Sequence, residues 1–147
     1  MRVLVQEAPF DLAEETARFA KGEGGSGAIV TFTGVVRDND AGTLSAMEIE
    51  HYPGMTEKAL SEIAQQAVTR FDLQDALVIH RHGRLVPGEQ IMMVATAARH
   101  RRSAFQAAEF LMDYLKSRAP FWKCEITSEG EAWVAAKDED EAALNRW

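Results

Sequence analysis

Strand-like runs come in pairs between the helical segments of this chain, and that pairing limits the folds open to it. Residues 3–6 form a short apolar run, and Asp11 can cap a helix to about Lys21, with Glu14 three residues on as in a capping box. Ala28-Ile29-Val30-Thr31-Phe32-Thr33-Gly34-Val35-Val36-Arg37 is β-branched, and residues 44–52 alternate enough to be its neighbour. Met55, Ala59, Leu60, Ile63, Ala64, Ala67, Val68 and Phe71 recur at helical spacing. Residues 76–82 and 90–98 are the next two strands, parted by the turn Val86-Pro87-Gly88-Glu89. A helix from Ser103 to about Arg118 puts Phe105, Ala108, Leu111, Met112 and Leu115 on one face and stops before Pro120. Residues 121–126 and 132–135 read as a hairpin, and 138–146 as a short acidic helix. A doubly wound parallel sheet, whose strands and helices alternate singly, is excluded. The order predicts an α+β fold: a mixed sheet with flanking helices and a small antiparallel hairpin subdomain, in one domain over 1–147.

Three Trp and seven Phe among 147 residues supply a core and exclude disorder. No apolar stretch approaches the roughly 18 residues of a membrane helix. Met1-Arg2-Val3-Leu4-Val5 does not open a secretion signal, and the single Cys124 excludes an internal disulfide framework and a CxxC redox or zinc motif. The expected compartment is the cytoplasm. The glycines of 22–27 precede a strand and lack GKS or GKT, so they form a flexible loop and not a phosphate cradle.

The formal charge of −7 argues against general nucleic-acid binding. Its distribution is uneven. Residues 99–123 carry six Lys or Arg against Glu109 and Asp113, whereas 124–147 carry seven acids against Lys137 and Arg146. A compact basic segment in an acidic chain suits an anion site, or equally a solvated helix face with flanking ion pairs.

Three groups of residues can carry chemistry. His100-Arg101-Arg102, after Arg99, stands at a strand-to-helix junction, where backbone N–H groups and guanidinium forks suit phosphate or carboxylate. The same residues can simply pair with acidic neighbours. Lys116 falls in the last helical turn and Lys123 on the strand beyond Pro120. Pro120 voids any argument from helical spacing, but a helix end and an adjacent strand can converge. Two lysines brought together among aromatics would each titrate low and serve as base or nucleophile. The alternative is one lysine on helix carbonyls and one on an exposed edge. Arg37, directly after a buried strand, sits at a rigid rim where substrate contacts are common. His80 and His82 share a strand face without an evident third metal ligand, and Cys124 has no resolving partner.

Beyond these, Phe32-Thr33-Gly34-Val35-Val36-Arg37, Glu50-His51-Tyr52-Pro53-Gly54-Met55, Ile79-His80-Arg81-His82-Gly83-Arg84-Leu85 with Pro87-Gly88-Glu89, His100-Arg101-Arg102-Ser103-Ala104-Phe105, Asp113-Tyr114-Leu115-Lys116, Pro120-Phe121-Trp122-Lys123 with Glu125, and the closing Arg146-Trp147 stand in order along nearly the whole chain. In these motifs the chain resembles the large, catalytic subunit of molybdopterin synthase. The resemblance implies an α/β-hammerhead fold, a homodimer of large subunits, and a small ubiquitin-like sulfur-carrier subunit at each end, making a heterotetramer. The carrier's C-terminal Gly-Gly thiocarboxylate would give sulfur to cyclic pyranopterin monophosphate (precursor Z), once per carrier, to make the dithiolene molybdopterin. No metal or redox cofactor is implied for this step.

Position by position, the resemblance makes Lys116 and Lys123 the two active-site lysines, with Lys116 nearest the carrier terminus as base or electrostatic stabiliser and Lys123 assisting at the pterin. It makes Arg37, His100 and Arg101 pocket residues for the phosphate and developing charge, and Phe32 a pocket-lining aromatic. Lys137 stands where some relatives carry an Arg that reaches the neighbouring subunit's pocket; it keeps the charge without the planar fork. Two other classes remain beside this one: a non-catalytic module binding a ubiquitin-like partner or phosphorylated ligand, and a metal-binding regulator using His80, His82 and His100.

Overall fold

The computed structural model describes residues 1–22, 24–135 and 137–147. In chain order the elements are β1 (Arg2–Gln6), α1 (Leu12–Ala20), β2 (Ala28–Val35), β3 (Leu44–His51), α2 (Met55–Phe71), β4 (Asp75–Arg81), β5 (Gly83–Leu85), β6 (Gln90–Ala98), α3 (Arg101–Arg118), β7 (Phe121–Thr127), β8 (Gly130–Trp133) and α4 (Asp138–Ala143), closed by a 3₁₀ turn over Leu144–Arg146. Asp11 caps α1 as its position suggests, accepting from the Glu14 N–H at 2.9 Å.

One strand was not foreseen from the sequence. Gly83 looks like a strand terminator, but at φ +90° it redirects the chain, and Gly83–Leu85 pair antiparallel with β3. Glu7 packs so closely on Gly83 that a Cβ there would meet Glu7 Cγ at 3.1 Å.

The strands make two sheets. The first, in the order β1-β4-β6-β2, is mixed: β1 runs parallel to β4, while β4–β6 and β6–β2 are antiparallel. The second, β5-β3-β7-β8, is antiparallel throughout. The predicted hairpin β7–β8 is therefore the outer half of a four-stranded sheet, zipped to β3 from Leu44↔Thr127 to His51↔Phe121.

Alternation along the strands divides the core. Leu77, Ile79, Met93 and Ala95 face Leu4, Phe10, Leu12 and Phe19 on the α1 side. Val78, Val94 and Ala98 face the other way, into a larger cluster with Leu60, Ile63 and Ala67 of α2, Ala107, Phe110 and Leu111 of α3, and Leu44, Ile49 and Leu85 of the second sheet. The two sheets and two long helices thus share one apolar interior. At its edge, Thr96 Oγ1 donates to the Ala104 carbonyl at 2.7 Å and ties the first turns of α3 to β6. Among the described residues, no helix is long and apolar enough to cross a membrane.

Candidate active site

The lysine pair is assembled by the turn that ends α3. Lys116 lies in the last turn of that helix, Pro120 stops it, and β7 begins at Phe121. The turn is held from below. Thr56, fully buried, accepts the Tyr52 N–H at 2.9 Å and donates to the Pro120 carbonyl at 3.1 Å. Phe121 stacks on the buried His80 ring, centroids 3.8 Å apart. Two residues on, Lys123 pairs with Ile49 of β3, and its carbonyl accepts from the Val134 N–H at 2.8 Å.

Lys123 is half-buried, and its amine is held below the ordinary lysine range. Burial is the larger cause and the charge of Lys116 the next; Asp140 acts in the opposite sense, and Lys137 adds to the repulsion. Lys116 Nζ lies 4.0 Å from Asp140 Oδ1. Helix end and strand do converge, therefore, and the segment leading into α4 brings a third cation and one carboxylate to the same place. Lys137 precedes α4 as its N-cap residue and acts on Lys123 of its own chain. Ala136, beside it, lies outside the described residues.

The C-terminal segment is anchored along α3. Ser117 Oγ donates to the Asp140 carbonyl at 2.9 Å, and Arg118 grips both carboxylate oxygens of Glu141 at 2.7 Å. Arg146 reaches Glu109 and Asp113, Trp147 Nε1 donates to Asp113 at 2.7 Å, and the Trp147 carbonyl accepts from Arg70 at 2.9 Å.

The remaining pocket candidates divide between the two ends of the first sheet. Gly34 of β2, Met92 of β6 and His80 of β4 form one row across it. Arg37, three residues past Gly34 and exposed, thus leaves β2 at the end where His80 and Phe121 sit. His80 in turn feels the charge of Lys123. His100 and Arg101 are exposed at the opposite end, where Ala98 pairs with Ala28 and α3 starts. Along β2 the two ends are about 23 Å apart, and along α3 Arg101 precedes Lys116 by about 22 Å. Phe32, 42% exposed, stands between them on β2, the edge strand beside β6. One chain therefore gathers Lys116, Lys123 and Lys137, with Arg37 at the same end, and keeps His100 and Arg101 at the far end.

Sequence patterns gave no warning of Asp140, which is one of four consecutive acids in a short helix. His80, near the end of β4, and His82, just past it, pack against the second sheet and not toward a common ligand: His82 stacks on His51 at 4.1 Å, beside the His80–Phe121 pair. Among the described residues no three His, Cys, Asp or Glu side chains form a metal-binding group. Cys124 is buried in β7, and burial pushes its thiol up.

Comparison with known proteins follows the same outline. Residues 5–118 match the family model described as MoaE protein. The chain is 69% identical over 147 residues, all of both chains, to the molybdopterin synthase catalytic subunit of Cereibacter sphaeroides. It superposes with a TM-score of 0.85 on the molybdopterin biosynthesis MoaE protein of Burkholderia ambifaria, at 51% identity over 99% of this chain and 97% of that one. It shares its fold, at a TM-score of 0.76 and 17% identity over 92% and 90% of the chains, with a structure from Helicobacter pylori described as a complex of subunits 1 and 2 of molybdopterin-converting factor.

Proposed function

The chain belongs to the MoaE family, the catalytic subunits of molybdopterin synthase that act in molybdenum cofactor biosynthesis, and from that membership we propose how its residues carry the reaction. The observation that carries the reading is the convergence of Lys116, Lys123 and Lys137 beside one carboxylate, in a chain whose overall charge is −7. A concentrated positive site in an acidic protein suits two anions brought together: a thiocarboxylate tail and a pterin phosphate.

In this reading a small carrier subunit lays its extended C-terminal Gly-Gly tail along the second sheet, whose outer strand β8 is exposed with a free edge. The complex of two converting-factor subunits described for the Helicobacter pylori fold relative supports such a partner. The thiocarboxylate sulfur bonds to a side-chain carbon of cyclic pyranopterin monophosphate as a C–O bond at that carbon breaks, the oxygen leaving with the bonding pair and taking up a proton from solvent. Water then attacks the acyl carbon, the acyl–sulfur bond breaks, the carrier leaves as a carboxylate, and the sulfur stays on the pterin. Lys123, whose amine is held below the ordinary lysine range by burial and by Lys116, takes the proton of the attacking water. Lys116, half exposed and paired with Asp140, steadies the oxyanion of the acyl intermediate. Arg37, at the same end, binds phosphate, and Phe32 lines the approach.

His100 and Arg101 then belong to a site completed by a second copy of the chain. The separation along β2 and α3 favours this, as does the outer edge of β2, unpaired among the described residues, with exposed Ile29, Phe32 and Val35. The reaction is assigned to the cytoplasm, where a free, buried cysteine such as Cys124 is ordinary. The test is reconstitution with a thiocarboxylated carrier and precursor Z. Lys123→Ala should lower kcat by about 10²–10⁴ with the carrier still bound; undiminished dithiolene formation would remove the lysine from the mechanism.

A further inference from the structure

Of the groups that act on Lys123, Lys116 comes from α3, Lys137 and Asp140 from the C-terminal segment, and His80 faces it from β4. His80 is kept neutral by burial, so the local charge is three ammonium groups and one carboxylate. We infer that Asp140 is a positioning residue for the reaction: its carboxylate holds the Lys116 ammonium in place beside Lys123 and so sets the charge that the Lys123 amine meets. The inference rests on the lysine chemistry proposed above.

Geometry separates this role from simple anchoring. The contacts that seat Asp140 use its main chain: its carbonyl accepts from Ser117 Oγ at 2.9 Å, and its N–H donates to the Lys137 carbonyl at 3.1 Å. Its carboxylate is turned to Lys116, 4.0 Å away. A six-residue helix has little stability of its own, yet the chain just after Asp140 is clasped to α3, by Arg118–Glu141 and by Arg146 and Trp147. The chain thus fixes one negative charge against two neighbouring ammonium groups. With both lysines protonated, that charge offsets the repulsion between them, while burial and the neighbouring Lys116 hold the Lys123 amine below the ordinary lysine range.

The test compares Asp140→Asn and Asp140→Glu in the complete complex with thiocarboxylated carrier and precursor Z. Loss of the charge makes the Lys123 amine release its proton at lower pH. The rise of kcat/KM with pH should therefore come at lower pH in Asp140→Asn and return in Asp140→Glu. In the same variant, an amine-labelling reagent read by mass spectrometry should modify Lys123 severalfold faster at pH 8. A profile lowered but not moved would make Asp140 part of the scaffold only. A rise in turnover with no movement would make it a block on the site. Either result overturns the inference. Inactive Lys123→Ala together with unmoved labelling in Asp140→Asn would overturn it while sparing the lysine mechanism. Fully active Lys123→Ala would overturn that mechanism, and the role of Asp140 with it.

Discussion

The Thr56 hydroxyl donates to the Pro120 carbonyl across 64 residues of sequence and, in the same place, accepts the N–H of Tyr52. One buried oxygen thereby ties the start of α2 to the turn that delivers Lys123. Thr56→Val keeps the volume and leaves a buried N–H and C=O without that partner, at a cost on the order of 2 kcal/mol. Thermal unfolding should fall by several degrees, and kcat should fall more than KM rises, since the loosened turn carries Lys123, the proposed base. Thr56→Ser should recover most of both. A valine variant of unchanged melting temperature would show that the turn is held by packing alone.

Stability toward acid should depend on His80. Burial holds this imidazole down to about 3 from an ordinary 6.5, with its Nδ1 2.7 Å from the Arg81 carbonyl and its face on Phe121. Between those two values the unfolded chain binds a proton that the folded chain does not. The contribution is therefore complete above about pH 6.5 and is lost as pH falls, by about 1.4 kcal/mol per pH unit. Urea unfolding at pH 7.5, 6 and 5 should give a slope smaller by about one proton in His80→Gln than in the parent. Parallel slopes would mean that the imidazole is solvated after all.

The two histidines also mark where sequence reading ran out. Periodicity located the helices and most strands because amphipathic faces repeat locally: α2 begins at Met55 and α3 ends at Arg118, as expected. β5 was missed because three residues that open on a glycine carry no period; it exists through pairing with Met47–Ile49, far away in sequence. His80-x-His82 reads as a possible ligand pair until the second sheet supplies Phe121 and His51 as stacking partners. Lys116 and Lys123 were legible as residue types, but Pro120 hid their meeting, which depends on Thr56 and the β3–β7 register. The α3 start was placed two residues late, because His100 offers no side-chain cap to announce it.

Gly27 guards the far end of the sheet. Its N–H donates to the Ala98 carbonyl at 3.0 Å, and a Cβ at this position would overlap the carbonyl oxygen of Arg99. Backbone must yield, because the obstructing atom is not the tip of a flexible side chain. Gly27→Ala should displace the 98–100 junction, with a stability loss on the order of 1–3 kcal/mol. Amide exchange should quicken at Ala104, whose N–H donates to the His100 carbonyl, and at Gln74, whose N–H donates to the Ala97 carbonyl, and stay unchanged at Lys123. Unchanged exchange at all three would show that the junction absorbs a methyl group without moving.

The separation of Arg37 from Arg101 leads to a test that needs no crystal. If each site takes Arg37 and the lysines from one chain and His100 and Arg101 from another, Arg37→Ala and Arg101→Ala damage opposite halves of a shared site. Each variant alone should lose substrate affinity, by about 10–100-fold for a charge-assisted phosphate contact. Unfolded and refolded together, they should form mixed dimers in which one site carries both defects and its mate carries neither. Random pairing makes half of the dimers mixed, so about one site in four regains native KM. Recovery to that level, absent when the variants are assayed separately, establishes the shared site. No recovery, with dimers confirmed by light scattering, would mean that Arg101 serves a surface apart from the one holding Lys116 and Lys123, and that Arg37 and the lysines bind the phosphate without a second chain.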